Sequence, residues 1–217
     1  MEVDRSMDKI RLQMATLAEL GVAGPDGITI ERIARRAEVR EEMVTSLYPD
    51  LATLLYESVA HAIEETIGRA VEELPVDRPA SARLGLLSHR LWGALQLPAM
   101  RSIFRLVDVD DDRHGAFEHL LEEMLLTRPR SAVKGLVAEL VRSGDIRLAN
   151  PEHKAYVIVA LLFAYGLWFH FPGLYPLFTP QQPDKVVSHV LLVSLGTEAH
   201  GRIMAAASGR SREDVGR

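Results

Sequence analysis

Apolar residues recur along this chain at helical spacing, and no stretch alternates apolar with polar as a half-buried strand does. Ile30, Ile33, Ala34 and Ala37 stand at i, i+3, i+4 and i+7, one face of a helix. Thr29 precedes them as an N-cap, with a hydroxyl that accepts a backbone N–H of the first turn. Glu38-Val39-Arg40 interrupts the pattern. It resumes over Glu41–Tyr48, where Val44, Leu47 and Tyr48 share a face. Pro49-Asp50 stops that helix and caps the next. Two short helices joined by so tight a turn, crossing over the small Ala34, form a helix-turn-helix, the layout that presents its second helix to a DNA major groove.

The same reading predicts helices on either side. One runs from about Asp8 to Leu20, with Ile10, Met14, Leu17 and Ala18 inward and Gly21 ending it; residues 1–7 are expected to fray. Another runs from Asp50 to about Leu74, facing the core through Leu54, Leu55, Val59, Ile63, Ile67 and Val71. Helices follow over about 80–97 and 99–107. A long one after Asp108–Asp112 reaches Leu126, kinks or divides at Thr127–Arg130 around Pro129, and resumes to Ser143. Asn150-Pro151-Glu152 opens a helix to about Phe169, and Pro183-Asp184 opens a last one to about His200. The fold class is all-α: a three-helix head over residues 1–50, a larger helical bundle over 51–207 and a polar tail over 208–217. Tyr156–Leu167 and Val186–Leu195 are apolar nearly all round, so each helix needs cover on two sides. A second copy of the chain supplies the second cover, making the last two helices the expected homodimer seam.

Composition removes several classes of chemistry. With no cysteine there is no disulfide, thiolate nucleophile or Cys-ligated zinc, in keeping with a reducing cytoplasm. No basic n-region followed by an apolar h-region opens the sequence, so a signal peptide is not expected. The longest uncharged apolar run, Ala155–Phe171, falls short of the roughly 20 residues of a membrane span and reads as a buried helix, so no membrane partner is expected. His114 and His119 do not share a helical face. Asp108, Asp110 and Asp112 mimic half a calcium loop, but Arg113 stands where its glycine belongs and His119 where its bidentate acid belongs. Neither a nucleophile elbow nor a phosphate-cradling or dinucleotide glycine loop occurs, so neither an enzyme nor a cofactor is expected. The net charge of −5 bears on DNA binding, because affinity for a polyanion comes largely from Lys and Arg. Through Leu51 the head carries seven cations against ten acids, but Arg32, Arg35, Arg36 and Arg40 cluster around the turn.

Taken together, Thr29, Ile33, Ala34, Ala37 and Val39, the apolar pair and aromatic that follow, and the Pro-Asp helix start resemble the head of tetracycline-repressor (TetR) family regulators. The match runs without gaps from Thr29 to Leu55, Ile10–Gly21 fits the preceding helix, and beyond residue 55 the likeness is architectural. Four positions depart from the family. Glu38 stands where a glycine is usual, and Arg40 where a Ser or Thr caps the second helix. Thr45 stands where an aromatic meets phosphate, and Leu51 replaces a lysine.

The resemblance implies a homodimer on a palindromic operator in double-stranded DNA, acting as a repressor that a small apolar or aromatic effector releases. Arg32, Arg35, Arg36, Thr45 and Tyr48 are candidates for backbone contacts or head packing; Glu42, Met43, Ser46 and Leu47 for base edges; Thr29, Arg40 and Glu41 complete the set. A glutamate of the second helix accepts from cytosine N4, and Met43 or Leu47 meets a thymine methyl. His89, Trp92, Met100, Phe104, Phe117, Met124, Phe163, Tyr165 and Trp168 are candidates to line an effector cavity between helices. The competing reading is a dimeric binding protein of the same fold whose head no longer meets DNA.

Overall fold

The computed structural model describes residues 2–106, 119–170 and 183–207, and among these every regular element is helical. In chain order they are α1 (Glu2–Ala23), α2 (Ile30–Ala37), α3 (Glu41–Leu47), α4 (Leu51–Ile63), α5 (Arg69–Glu72), α6 (Ala80–Leu95), α7 (Pro98–Leu106), α8 (Arg128–Arg142), α9 (Pro151–His170), α10 (Pro183–Leu195) and α11 (Thr197–Ala207). Two π-helical turns, Glu64–Gly68 and Glu122–Thr127, precede α5 and α8. The second of these ends at Thr127, the start of the expected kink or division over Thr127–Arg130, and Pro129 itself lies in the first turn of α8. The chain packs as two compact units, Met1–Glu65 with Leu97–Leu121, and Thr66–Gln96 with Glu122–Arg217. The expected head, residues 1–50, lies wholly inside the first unit, which also holds α4 and α7.

In the first unit α1 packs on α2, α4 and α7, and α2 packs on α3. Leu12, Leu20, Ile33, Leu54, Met100 and Ile103 are wholly buried there. Burying one such side chain contributes roughly 1.5–3 kcal/mol.

The first helix corrects the sequence reading three times. It begins at Glu2 rather than near Asp8, since neither glycine nor proline interrupts the chain before Gly21. It also continues past Gly21 to Ala23, and Gly24 (φ +74°) supplies the left-handed residue that ends it. Gly21 serves close packing instead. A Cβ there would lie 2.7 Å from Ser102 Oγ, and its carbonyl accepts a 2.6 Å hydrogen bond from Arg105 of α7. Third, the inward face is not Ile10, Met14, Leu17 and Ala18. Met14 is 66% exposed and Ile10 40%, whereas Leu12, Gln13, Ala15, Thr16, Glu19 and Leu20 are buried. Half of that buried face is polar, which hid it from hydrophobic periodicity.

The caps of the head helices agree with expectation. Thr29 Oγ1 accepts the Arg32 N–H at 3.2 Å, and Asp50 Oδ1 accepts the Thr53 N–H at 2.7 Å. Arg40, the N-cap of α3, makes no side-chain cap bond. Glu38 closes α2 in the left-handed region (φ 56°, ψ 41°), while Val39 N–H reaches back to Ala34 O at 3.0 Å. A residue with a Cβ costs about 1–2 kcal/mol in that conformation. Glu38→Gly is therefore expected to stabilise the first unit by about 1 kcal/mol, read as a raised denaturation midpoint at unchanged slope.

In the second unit α6 packs against α8, α9, α10 and α11, and α9 packs against α8 and α10. Leu84, Leu87, Leu91, Val133, Val137, Ile158, Leu162, Val187, Val190 and Leu191 form its dry centre. Arg83 of α6 donates to both oxygens of Glu139 of α8 at 2.5 and 2.7 Å. Asn150 caps α9 as expected, its Oδ1 accepting the His153 N–H at 3.1 Å. The last helix does not run unbroken to His200. Gly196 (φ +87°) divides it into α10 and α11. The expected acidic loop Asp108–Asp112, the Phe171–Pro180 loop and the tail 208–217 lie outside the described residues.

Along α9, Tyr156 is 53% exposed and Leu167 38%, and Val157, Ala160, Leu161, Ala164 and Trp168 of the same flank are half-buried. On α10, Leu192 and Val193 are 38% and 55% exposed. An apolar stripe on α9, with small alanines along it, thus remains outside the core of its own chain.

Candidate nucleic-acid interface

Each side chain of α3, the second helix of the helix-turn-helix, takes its place from the packing beneath it. Val44 is buried at 1% exposure and fastens α3 to the head. The opposite flank, Glu41, Glu42, Met43, Thr45 and Ser46, is exposed, and Leu47 is half-buried. Thr45 Oγ1 donates to the Glu41 or Glu42 carbonyl (3.3 and 3.2 Å), and Ser46 Oγ donates to Met43 O at 2.8 Å. With their protons engaged by the helix, both hydroxyls turn lone pairs outward. The two glutamates lie in the first turn of α3, where the helix dipole favours a negative charge. The face therefore offers two carboxylates, two hydroxyl oxygens and a thioether, bounded by Arg40 at the helix start.

Tyr48 is a packing residue. It is 2% exposed, and Lys9 Nζ stands 5.4 Å from its ring centre. Burial pushes its phenol up, the Glu57 carboxylate adds to the shift, and Gln13 opposes it. Of the two roles expected for Tyr48, head packing is the one its burial permits.

The arginines are engaged by acids of the head itself. Glu19 of α1, only 6% exposed, accepts Arg32 Nε at 3.0 Å and Arg36 Nε at 2.6 Å. Arg35 pairs with Glu31 one turn earlier on α2. Thr29 is occupied as the cap of α2. Of the four arginines around the turn, three thus hold carboxylates of the same head.

Sequence reasoning missed Glu19. A signal was present: Arg32 and Arg36 lie four apart on one helical face, an arrangement that one acid bridges when it comes from a neighbouring helix. The hydrogen bond from Arg36, then that from Arg32 and the charge of both, hold the Glu19 carboxyl below the usual glutamate range, against burial, which raises it. The backbone N–H of Thr53 does the same for Asp50. A folded-state value below the unfolded one contributes stability that is fully present above the unfolded value and is lost as pH falls through the folded one. The first unit is therefore expected to lose stability on acidification through and below the ordinary carboxylate range. Glu19→Gln should flatten that dependence in denaturant midpoints measured against pH.

The described effector candidates are distributed over both units. Met100 and Phe104 are buried on α7, in the first unit. The other described candidates belong to the second. His89 is half-buried with Nδ1 2.8 Å from Gly85 O, and Trp92 is 3% exposed with no hydrogen-bond partner at Nε1. Phe163 is buried; Met124, Tyr165 and Trp168 are half-buried. Tyr165 meets Trp168 edge-to-face at 5.3 Å and His189 at 6.2 Å. Phe117 lies outside the described residues. Among the described residues no helix is long and apolar enough to cross a membrane.

A helix-turn-helix on a three-helix head, carried by a chain whose remaining described elements are all helical, defines an architecture shared with solved transcriptional regulators. One from Mesorhizobium loti, assigned to the TetR family, superposes with a TM-score of 0.60 at 18% identity over 94% of this chain and 97% of its own. The regulator FadR of Bacillus subtilis, solved with stearoyl-CoA, gives 0.61 at 14% over 93% and 98%. AibR, solved with isovaleryl-CoA and operator DNA, gives 0.59 at 9% over 87% and 98%. No protein-family model matches the sequence, and no curated protein matches it. This chain has the fold of TetR-family transcriptional regulators.

Proposed function

We propose that the chain is a ligand-responsive DNA-binding regulator: a homodimer that holds a palindromic operator and is released, as a repressor, by a small apolar or aromatic effector. One observation carries the reading. The exposed flank of α3 carries carboxylate, hydroxyl and thioether groups, the kinds that can meet base edges, on a helix held in its head by the buried Val44. Glu42 accepts from cytosine N4, Met43 meets a thymine methyl, Ser46 accepts from cytosine N4 or adenine N6, and Arg40 meets phosphate. The apolar stripe on α9 with Leu192 and Val193 on α10 is the seam of the dimer. In that dimer two heads present two half-sites related by a two-fold axis. Acyl-CoA thioesters, the ligands held by FadR and AibR, are the first effectors to try, and their acyl chains fit the apolar class expected of the body. Binding then favours one spacing of the heads over the spacing that fits the half-sites, which is a population shift.

The pairing of Arg32, Arg35 and Arg36 with head acids favours a second reading, in which the fold persists as a dimeric binding protein without DNA. Selection from a randomised duplex pool separates the two. The regulator enriches an inverted repeat whose affinity falls with salt, and Glu42→Gln changes base preference at one position of each half-site. No enrichment at any salt concentration selects the second reading. Release of the enriched duplex by acyl-CoAs of graded chain length then tests the effector class.

A further inference from the structure

Glu19 belongs to α1, outside the helix-turn-helix, yet it governs what the first helix of that motif offers to a duplex. In helix-turn-helix complexes this helix crosses the DNA backbone. On α2, Arg32 and Arg36 are the guanidinium groups of one face, four residues apart. Both turn Nε inward to a carboxylate that is itself 6% exposed, while their side chains remain 42% and 41% exposed. They stand at the head surface with their charge answered from below. A carboxylate and a phosphate compete for the same charge-assisted bonds of a guanidinium. Here the carboxylate is buried and bonded by both arginines.

We infer that Glu19 acts as an internal phosphate surrogate, occupying Arg32 and Arg36 and so holding the head's affinity for the DNA backbone low while base contacts from α3 set its specificity. This rests on the DNA-binding reading above. It assigns Glu19 an affinity-setting role and explains how a head with a surplus of acids keeps two arginines on its backbone-facing helix. A regulator built this way depends more on sequence and less on charge than the number of its arginines suggests.

The test uses the full-length chain and the duplex enriched by selection. Glu19→Gln is expected to bind that duplex severalfold more tightly at low salt. The slope of log affinity against log salt should steepen by about 0.9 for each guanidinium that reaches a phosphate. The triple variant E19Q/R32Q/R36Q, which leaves no unpaired buried carboxylate, should return affinity and slope to the wild-type values. A brace with a purely structural role predicts the opposite, weaker binding by E19Q at an unchanged slope, and that result overturns the inference. Should E19Q fail to fold, the Nε–H resonances of Arg32 and Arg36 in the wild-type protein decide. They stay in place on addition of duplex if Glu19 retains both arginines, and their displacement overturns the inference. Wild-type protein that enriches no duplex at all refutes the DNA-binding reading itself, a distinct outcome.

Discussion

In the homodimer proposed above, Ala164→Glu is expected to leave the protein monomeric at micromolar concentration with its helical content intact. Ala164 lies half-buried on α9, among Tyr156, Ala160 and Leu167, on the flank that its own chain leaves uncovered. In a two-fold seam every substitution appears twice, and a side chain near the axis faces its own copy. Two carboxylates would then enter an apolar contact with no cation to answer them. An uncompensated buried charge costs about 3–5 kcal/mol, and each 1.4 kcal/mol is tenfold in a dissociation constant. The dimer should weaken by two orders of magnitude or more. Because one head holds only one half-site, operator binding should fail with it. Sedimentation equilibrium gives the mass, and circular dichroism reports whether the helices persist. An unchanged dimer mass would place the seam elsewhere.

Ile33→Ala is expected to unfold the head while sparing the body helices. Ile33 is wholly buried on α2, the helix that α1 and α3 both pack against. Truncating such a residue removes its burial and leaves a cavity, at a cost of about 2–5 kcal/mol. A small unit held by few helices has little stability in reserve. Hydrogen exchange should therefore accelerate across α1 to α3 and remain slow in α6 and α8. DNA binding should be lost even though the exposed flank of α3 is chemically unaltered. A loss below about 1 kcal/mol would mean that the neighbours of Ile33 collapse into the space, and that the head is less tightly packed than its burial indicates.

How much the sequence discloses depends on how local the controlling physics is. The helix-turn-helix was legible because its signals are short-range: Thr29 and Asp50 as caps, and Ile33 and Ala34 on one face. The π-helical turn before Pro129 was legible as an irregularity for the same reason. The inward face of α1 was not. Its buried side contains Gln13, Thr16 and Glu19, and a polar residue reads as exposed until its partner is known. Thr16 satisfies itself on Leu12 O at 2.7 Å, but Glu19 depends on arginines 13 and 17 residues away. That tertiary pairing also bears on the candidate site, because Arg32 and Arg36, expected to make backbone contacts or to pack the head, both bond a buried carboxylate. The division at Gly196 was missed because apolar residues continue on both sides of it, so the pattern shows no gap. The effector candidates were chosen by residue type alone. The described ones are divided between the two units.

In the proposed regulator the exposed flank of α3 is the surface that meets bases. A photo-crosslinking amino acid introduced at Met43, which is 37% exposed, tests it at one position in the presence of the selected duplex. The same group at Val76, 88% exposed in the second unit, serves as the control. Adducts are expected from position 43, confined to bases within each half-site and suppressed by excess unlabelled duplex, and none from position 76. Equal labelling from both positions, or none from position 43 while the duplex is bound, would contradict it.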